Sequence, residues 1–180
     1  LAWRDKLAAI AAAGYRAIAW DMPGYGSSPA ITPCTTAALA DALRALILHA
    51  DARRNVVLGH SMGGMVAQEL VALDAGLVQG LILSGTSPAF GRAEGNWQQQ
   101  FLHDRFAPLE AGQTMAQLAA RLVPTMMAPD ANAGAHALAQ AVMAAVPQAS
   151  YRAALQAIVA FNRLQDLPRI AVPTLCLAGE

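Results

Sequence analysis

Residues 55–64 read N-V-V-L-G-H-S-M-G-G, and no other stretch of the chain restricts the fold as tightly. The apolar run Val56, Val57 and Leu58 has the pattern of a buried strand, and Gly64 opens an amphipathic helical pattern. Between them lies Gly59-His60-Ser61-Met62-Gly63, a G-x-S-x-G sequence in the strand–turn–helix setting that this motif requires. A serine on such a turn sits in strained backbone. The small residues two places to either side are expected to let strand and helix approach closely. Ser61 Oγ is then held out over the carboxyl end of a sheet, at a helix N-terminus, as a nucleophile would be. The Met62 N–H and the helix dipole point toward negative charge developing there, which makes Met62 the candidate oxyanion donor.

The rest of the chain supplies the sheet. Residues 3–13 are helical in pattern, with Leu7, Ile10 and Ala11 on one face and Gly14 as the stop. Residues 16–21 (R-A-I-A-W-D) read as a short buried strand, followed by the turn-rich loop Met22-Pro23-Gly24-Tyr25-Gly26-Ser27-Ser28. Asp21, at the end of that strand, reads as a loop-fastening carboxylate. Residues 35–50 predict a helix capped by a threonine, with Leu39, Leu43, Leu46 and Ile47 as its apolar stripe. In the helix over 64–75, Val66, Leu70 and Leu73 are expected inward, and Gln68 and Glu69 on the solvent face. Residues 81–84 (L-I-L-S) form the next strand. This alternation of helix and strand argues for an α/β fold with a parallel, doubly wound sheet.

From Gly85 the rhythm changes. Residues 86–167 hold no strand pattern, are punctuated by prolines, and contain four helical stretches near 94–107, 112–123, 132–145 and 148–163. Met115, Met126, Met127 and Met143 are spread through them, with Trp97, Phe101, Phe106 and Phe161; most read as helix-packing residues, and the methionines suit an adaptable apolar lid. Residues 172–179 return to a buried strand. The organisation expected is a first part of the core over 1–85, a helical cap over 86–167, and a core strand within 168–180. The cap would sit over the strand ends, where open α/β sheets bind ligands.

Composition narrows the partners. The chain has 180 residues, 56% apolar and only 13% charged, with zero formal net charge, so a nucleic-acid or anionic-membrane partner is not expected. No apolar run approaches the roughly 18 residues of a membrane span. Arg4, Asp5 and Lys6 break up the pattern of a signal peptide, and a cytoplasmic location is the default. Cys34 and Cys176 have no metal spacing and read as reduced and structural. With no metal-ligand cluster and no G-x-G-x-x-G phosphate loop, no metal and no organic cofactor is expected. His49, His103 and His136 read as surface or packing residues, and His60 as pointing to the face opposite Ser61.

Together, W-D-M-P-G-Y-G-S-S (20–28), G-H-S-M-G-G (59–64), G-L-I-L-S (80–84), the helical cap and V-P-T-L-C-L-A-G-E (172–180) resemble the α/β-hydrolase superfamily. The short cap, Trp97 in its first helix and the stretch 151–167 are similar to the 3-oxoadipate enol-lactonase branch, which hydrolyses small lactones and esters. The resemblance implies a serine hydrolase with Ser61 as nucleophile, Met62 N–H as one oxyanion donor and Trp97 near the substrate. It places the second oxyanion donor before residue 1 and the acid and base histidine beyond residue 180, with Glu180 as the one carboxylate near the acid's place. The chain is therefore expected to be a fragment that is inactive alone. Cofactor-free haloperoxidases and carbon–carbon bond hydrolases use similar turns, and a ligand-binding receptor on the same scaffold is a reading of another class.

Overall fold

The computed structural model describes residues 2–91 and 95–179. The chain divides into two compact units, one built from residues 1–29 and 103–151, the other from 30–102 and 152–180.

The second unit holds the sheet. Strands β1 (Val56–His60), β2 (Gly80–Ser84) and β3 (Thr174–Leu177) lie parallel in the order β1-β2-β3. Leu58 is opposite Ile82 and His60 opposite Ser84, so β1 and β2 end level; Ser84 is in turn opposite Leu177. Parallel neighbours need crossovers, and α3 (Met62–Asp74) supplies the one from β1 to β2. Helix α2 (Thr36–Ala50) packs on α3, and α3 on β1. The Thr35 hydroxyl accepts from the Ala38 N–H at 3.1 Å, satisfying one of the four donors that a helix start leaves unpaired. Leu39, Val66, Leu70, Val78 and Leu81 are the largest apolar side chains of this core that are fully buried. Burying each one fully contributes roughly 1.5–3 kcal/mol.

The first unit is helical. Helix α1 (Arg4–Ala12) ends at Gly14, whose φ of +87° is left-handed; it buries no side chain, so the face of Leu7, Ile10 and Ala11 is not a core face among the described residues. Helices α5 (Met115–Met126) and α6 (Ala133–Ala144) pack on each other around Leu118, Ala119 and Val123. Thr114 and Gln117 start α5 with a reciprocal capping box, and Asn132 Oδ1 accepts from the Ala135 N–H at 2.8 Å to start α6. Met126, Met127 and Met143 line an apolar hollow of about 500 Å³ beside these helices. Helices α4 (Trp97–Glu110) and α7 (Gln148–Val159) each run from one unit into the other.

The four helices expected between β2 and β3 are all present, each within a few residues of its expected place. Pro108 and Pro124 do not end their helices; each lies in the last turn and forgoes the bond to the carbonyl four residues earlier. Residues 16–21 are a correction: no strand forms there, and the sheet has three strands among the described residues. An apolar run makes a strand only where a neighbouring strand completes its ladder, and no strand among the described residues pairs with 16–21. Two further corrections fall on α3. Leu73 is 51% exposed, while Gln68 and Glu69 are buried. The face expected toward solvent is covered by the segments 87–90 and 161–163, which Gln68 and Glu69 bind.

Candidate active site

A single residue, Ser61, turns the chain from β1 into α3. Ser61 has φ +50° and ψ −119°, a conformation that side chains with a Cβ rarely adopt and that costs on the order of 1–3 kcal/mol. Its backbone is held from three sides. The Ser61 N–H donates to the carbonyl of Ser84 at 2.9 Å, tying the turn to the end of β2. The Ser61 carbonyl accepts from the Gly64 N–H at 2.9 Å, the Met65 N–H at 3.3 Å and the Thr86 hydroxyl at 2.7 Å. The Ser61 side chain makes no capping bond to α3 and is exposed. Hydroxyl and backbone have separate duties: the backbone is locked, and the hydroxyl is presented.

The Met62 N–H is the first amide of α3, and no carbonyl or side chain among the described residues accepts from it. An unpaired amide at the positive end of a helix can donate a bond to negative charge held beside it.

The glycines divide unequally. A Cβ on Gly59 would stand 2.5 Å from the Gly63 carbonyl carbon and 2.6 Å from Gly64 Cα, so this close crossing of strand and helix excludes any side chain. A Cβ on Gly64 would meet the Thr86 side chain at 2.5–2.7 Å. A Cβ on Gly63 would meet nothing within 4 Å. The expectation that both flanking positions of the motif must be small is therefore corrected: the pair that cannot carry side chains is Gly59 and Gly64.

His60 Nδ1 lies 3.2 Å from Ser84 Oγ, across the paired ends of β1 and β2. It is engaged there, and no histidine among the described residues is hydrogen-bonded to the Ser61 hydroxyl. His49 and His103 are exposed and His136 is half-buried. Asp21 belongs to the loop of 21–28, where its carbonyl accepts from the Ser28 hydroxyl at 2.7 Å and its carboxylate fills the space a side chain on Gly26 would need. Glu180 lies outside the described residues. Trp97 is 37% exposed and belongs to an aromatic cluster, stacked on Phe101 at 5.4 Å and edge-on to Phe90 at 5.3 Å.

Four residues that hold this region, Thr86, Gln68, Glu69 and Arg163, are not marked as such by the sequence motif. A signal for two of them exists. Gln68 and Glu69 lie within M-V-A-Q-E-L-V-A-L, apolar on every helical face, and a helix apolar all round is a buried one. Polar residues in such a helix must find partners inside. Thr86 and Arg163 carry no comparable local sign.

An exposed, strained serine between a parallel strand and a helix, with a free amide beside it, is the arrangement that G-x-S-x-G adopts at the top of a parallel sheet. The alpha/beta hydrolase fold family model matches residues 1–179, and the chain belongs to that family. RutD from Variovorax paradoxus, whose name proposes a carbamate hydrolase, is 31% identical over 192 residues, covering 98% of this chain and 67% of the relative. A pimeloyl-(acyl-carrier protein) methyl ester esterase from Vibrio cholerae is 30% identical over 166 residues, covering 89% and 63%. Among solved structures, the enol-lactonase from Burkholderia xenovorans superposes with a TM-score of 0.85 at 22% identity, covering 99% of this chain and 67% of that one, a likeness of fold. The chain thus spans about two thirds of the length of these relatives.

Proposed function

We propose that the protein is a serine hydrolase that cleaves a small ester or lactone, with Ser61 as nucleophile and the Met62 N–H as an oxyanion donor. The observation that carries this reading is the strained, exposed Ser61 beside an amide without an acceptor. Ser61 Oγ attacks the substrate carbonyl as a general base takes its proton. The tetrahedral oxyanion is held by the Met62 amide, and collapse expels the alcohol and leaves an acyl-serine. Water, activated by the same base, releases the acid. The base is a histidine in this chemistry, because a serine hydroxyl alone is a weak nucleophile. Each oxyanion donor is worth about 10²–10³ in rate. Trp97, half open at the edge of its aromatic cluster, offers an apolar surface for the substrate. The names of the two relatives add support: a methyl ester and a carbamate both present a carbonyl joined to a leaving heteroatom, open to the same attack.

The test is a panel given to the full-length protein: an acetyl ester, a small lactone, and hydrogen peroxide with a halide. Turnover of ester or lactone that disappears in Ser61→Ala supports the proposal. Halogenation with no turnover of either acyl substrate overturns it in favour of a haloperoxidase of the same fold.

A further inference from the structure

The segments that leave β2 and return toward β3 meet on α3. On the outgoing side, the Thr86 hydroxyl donates to the Ser61 carbonyl at 2.7 Å, and the Ser87 carbonyl accepts from Gln68 Nε2 at 3.2 Å. The Pro88 carbonyl accepts from the Arg163 main-chain N–H at 2.7 Å. Ala89 bridges to Asn162 in antiparallel fashion, and the Phe90 N–H donates to the Phe161 carbonyl at 3.1 Å. Five consecutive residues are thus each tied, the first to Ser61 itself and the last three to the returning chain.

The returning chain is fixed to α3 by charge. Arg163 Nε and Nη2 donate to the two oxygens of Glu69 at 2.8 and 2.5 Å, a bidentate pair. Its third nitrogen, Nη1, reaches Asp166 Oδ2 at 3.1 Å, and Arg169 holds the other oxygen of Asp166 at 3.2 Å. Glu69 is 5% exposed, and its carboxylate holds the Arg163 guanidinium above the usual arginine range. Gln68, one turn beyond Gly64 on α3, also donates to the Gly64 carbonyl at 3.1 Å, and the Gly64 N–H in turn bonds Ser61.

Glu69 is buried, but the Arg163 side chain is 36% exposed, and an ion pair open to solvent on one side adds little to stability, so stability alone gives little reason for the charges. What a planar, bidentate pair adds is a single geometry. We infer that Glu69 and Arg163, with Gln68 beside them, are positioning residues: they clamp the two ends of the helical insertion onto α3 and so fix where Thr86 and the turn place Ser61. The inference rests on the nucleophile reading above. A misplacement of about 1 Å at a reacting atom costs on the order of 100-fold in rate. The effect of opening the clamp therefore belongs on the chemical step rather than on binding.

The experiment measures the rate at which a fluorophosphonate probe inactivates the full-length protein, per folded molecule, well below the unfolding midpoint of each variant. The variants are Glu69→Gln, Arg163→Lys, and the apolar pair Glu69→Met with Arg163→Met. The expected result is a maximal inactivation rate reduced at least tenfold in all three, with half-saturating probe concentration little changed. The apolar pair shows this even where its midpoint matches the unmodified protein, and Arg163→Lys shows it should the pair fail to fold. Folded variants that react at the unmodified rate overturn the clamp while leaving the nucleophile in place. An unmodified protein that is never labelled at Ser61 overturns the nucleophile reading, and the clamp with it.

Discussion

Alanine at Gly59 and alanine at Gly63 remove the same hydrogen from the two glycines that frame Ser61, yet the structure assigns them opposite signs. The Cβ of Gly59→Ala falls 2.5 Å from the Gly63 carbonyl carbon and 2.6 Å from Gly64 Cα. Both are backbone atoms, about 1 Å inside the 3.5–4.0 Å separation at which carbon atoms rest. No rotamer relieves the overlap, so α3 must move off β1. Overpacking costs typically about 1–3 kcal/mol, and a clash against backbone belongs at the upper end. In a domain of this size about 3 kcal/mol lowers the unfolding midpoint by roughly 6–12 °C. Gly63 lies inside α3 without a left-handed φ, and its Cβ would meet nothing within 4 Å. Gly63→Ala should then gain about 0.5–1 kcal/mol from reduced backbone freedom in the unfolded chain and better helix propensity, raising the midpoint by roughly 1–4 °C. The assay is thermal unfolding of both variants of the full-length protein, followed by circular dichroism. If Gly63→Ala falls as far as Gly59→Ala, or if Gly59→Ala unfolds with the unmodified protein, the crossing geometry argued for the turn is wrong.

Two other substitutions probe separate parts. Thr114→Ala removes the hydroxyl that accepts from the Gln117 N–H at the start of α5, leaving the main-chain N–H of residue 114 on Gln117 Oε1, and should cost about 1 kcal/mol, measured by denaturant unfolding; Thr114→Ser, which keeps the hydroxyl, should restore most of it. Trp97→Ala should raise KM for an apolar ester several-fold with kcat changed less, and an unchanged KM would remove Trp97 from the substrate surface.

The local pattern of the chain carried much of this. The strand–turn–helix around Ser61 is legible because three constraints coincide within ten residues: an apolar strand, a glycine-framed serine and a helix start. The helices between β2 and β3 were legible because their apolar periodicity is local, as were the threonine cap of α2 and the left-handed stop at Gly14. What failed depended on partners distant in sequence. Residues 16–21 have a strand's composition, but a strand needs a neighbour, and composition does not name one. Gln68 and Glu69 read as solvent-facing because they are polar; their burial is decided by residues 87–90 and 161–163, on either side of the helical insertion. Gly63 looked as necessary as Gly59, since the motif treats the two alike. Only the crossing of strand and helix separates them, and it makes Gly64 the second essential glycine.

The proposed function rests on Ser61 as the nucleophile. The most direct measurement treats the full-length protein with a fluorophosphonate probe, digests it, and locates the adduct by mass spectrometry. One adduct is expected, on the peptide carrying Ser61, and none in Ser61→Ala. An adduct on another serine, or equal labelling of the Ser61→Ala protein, would contradict it.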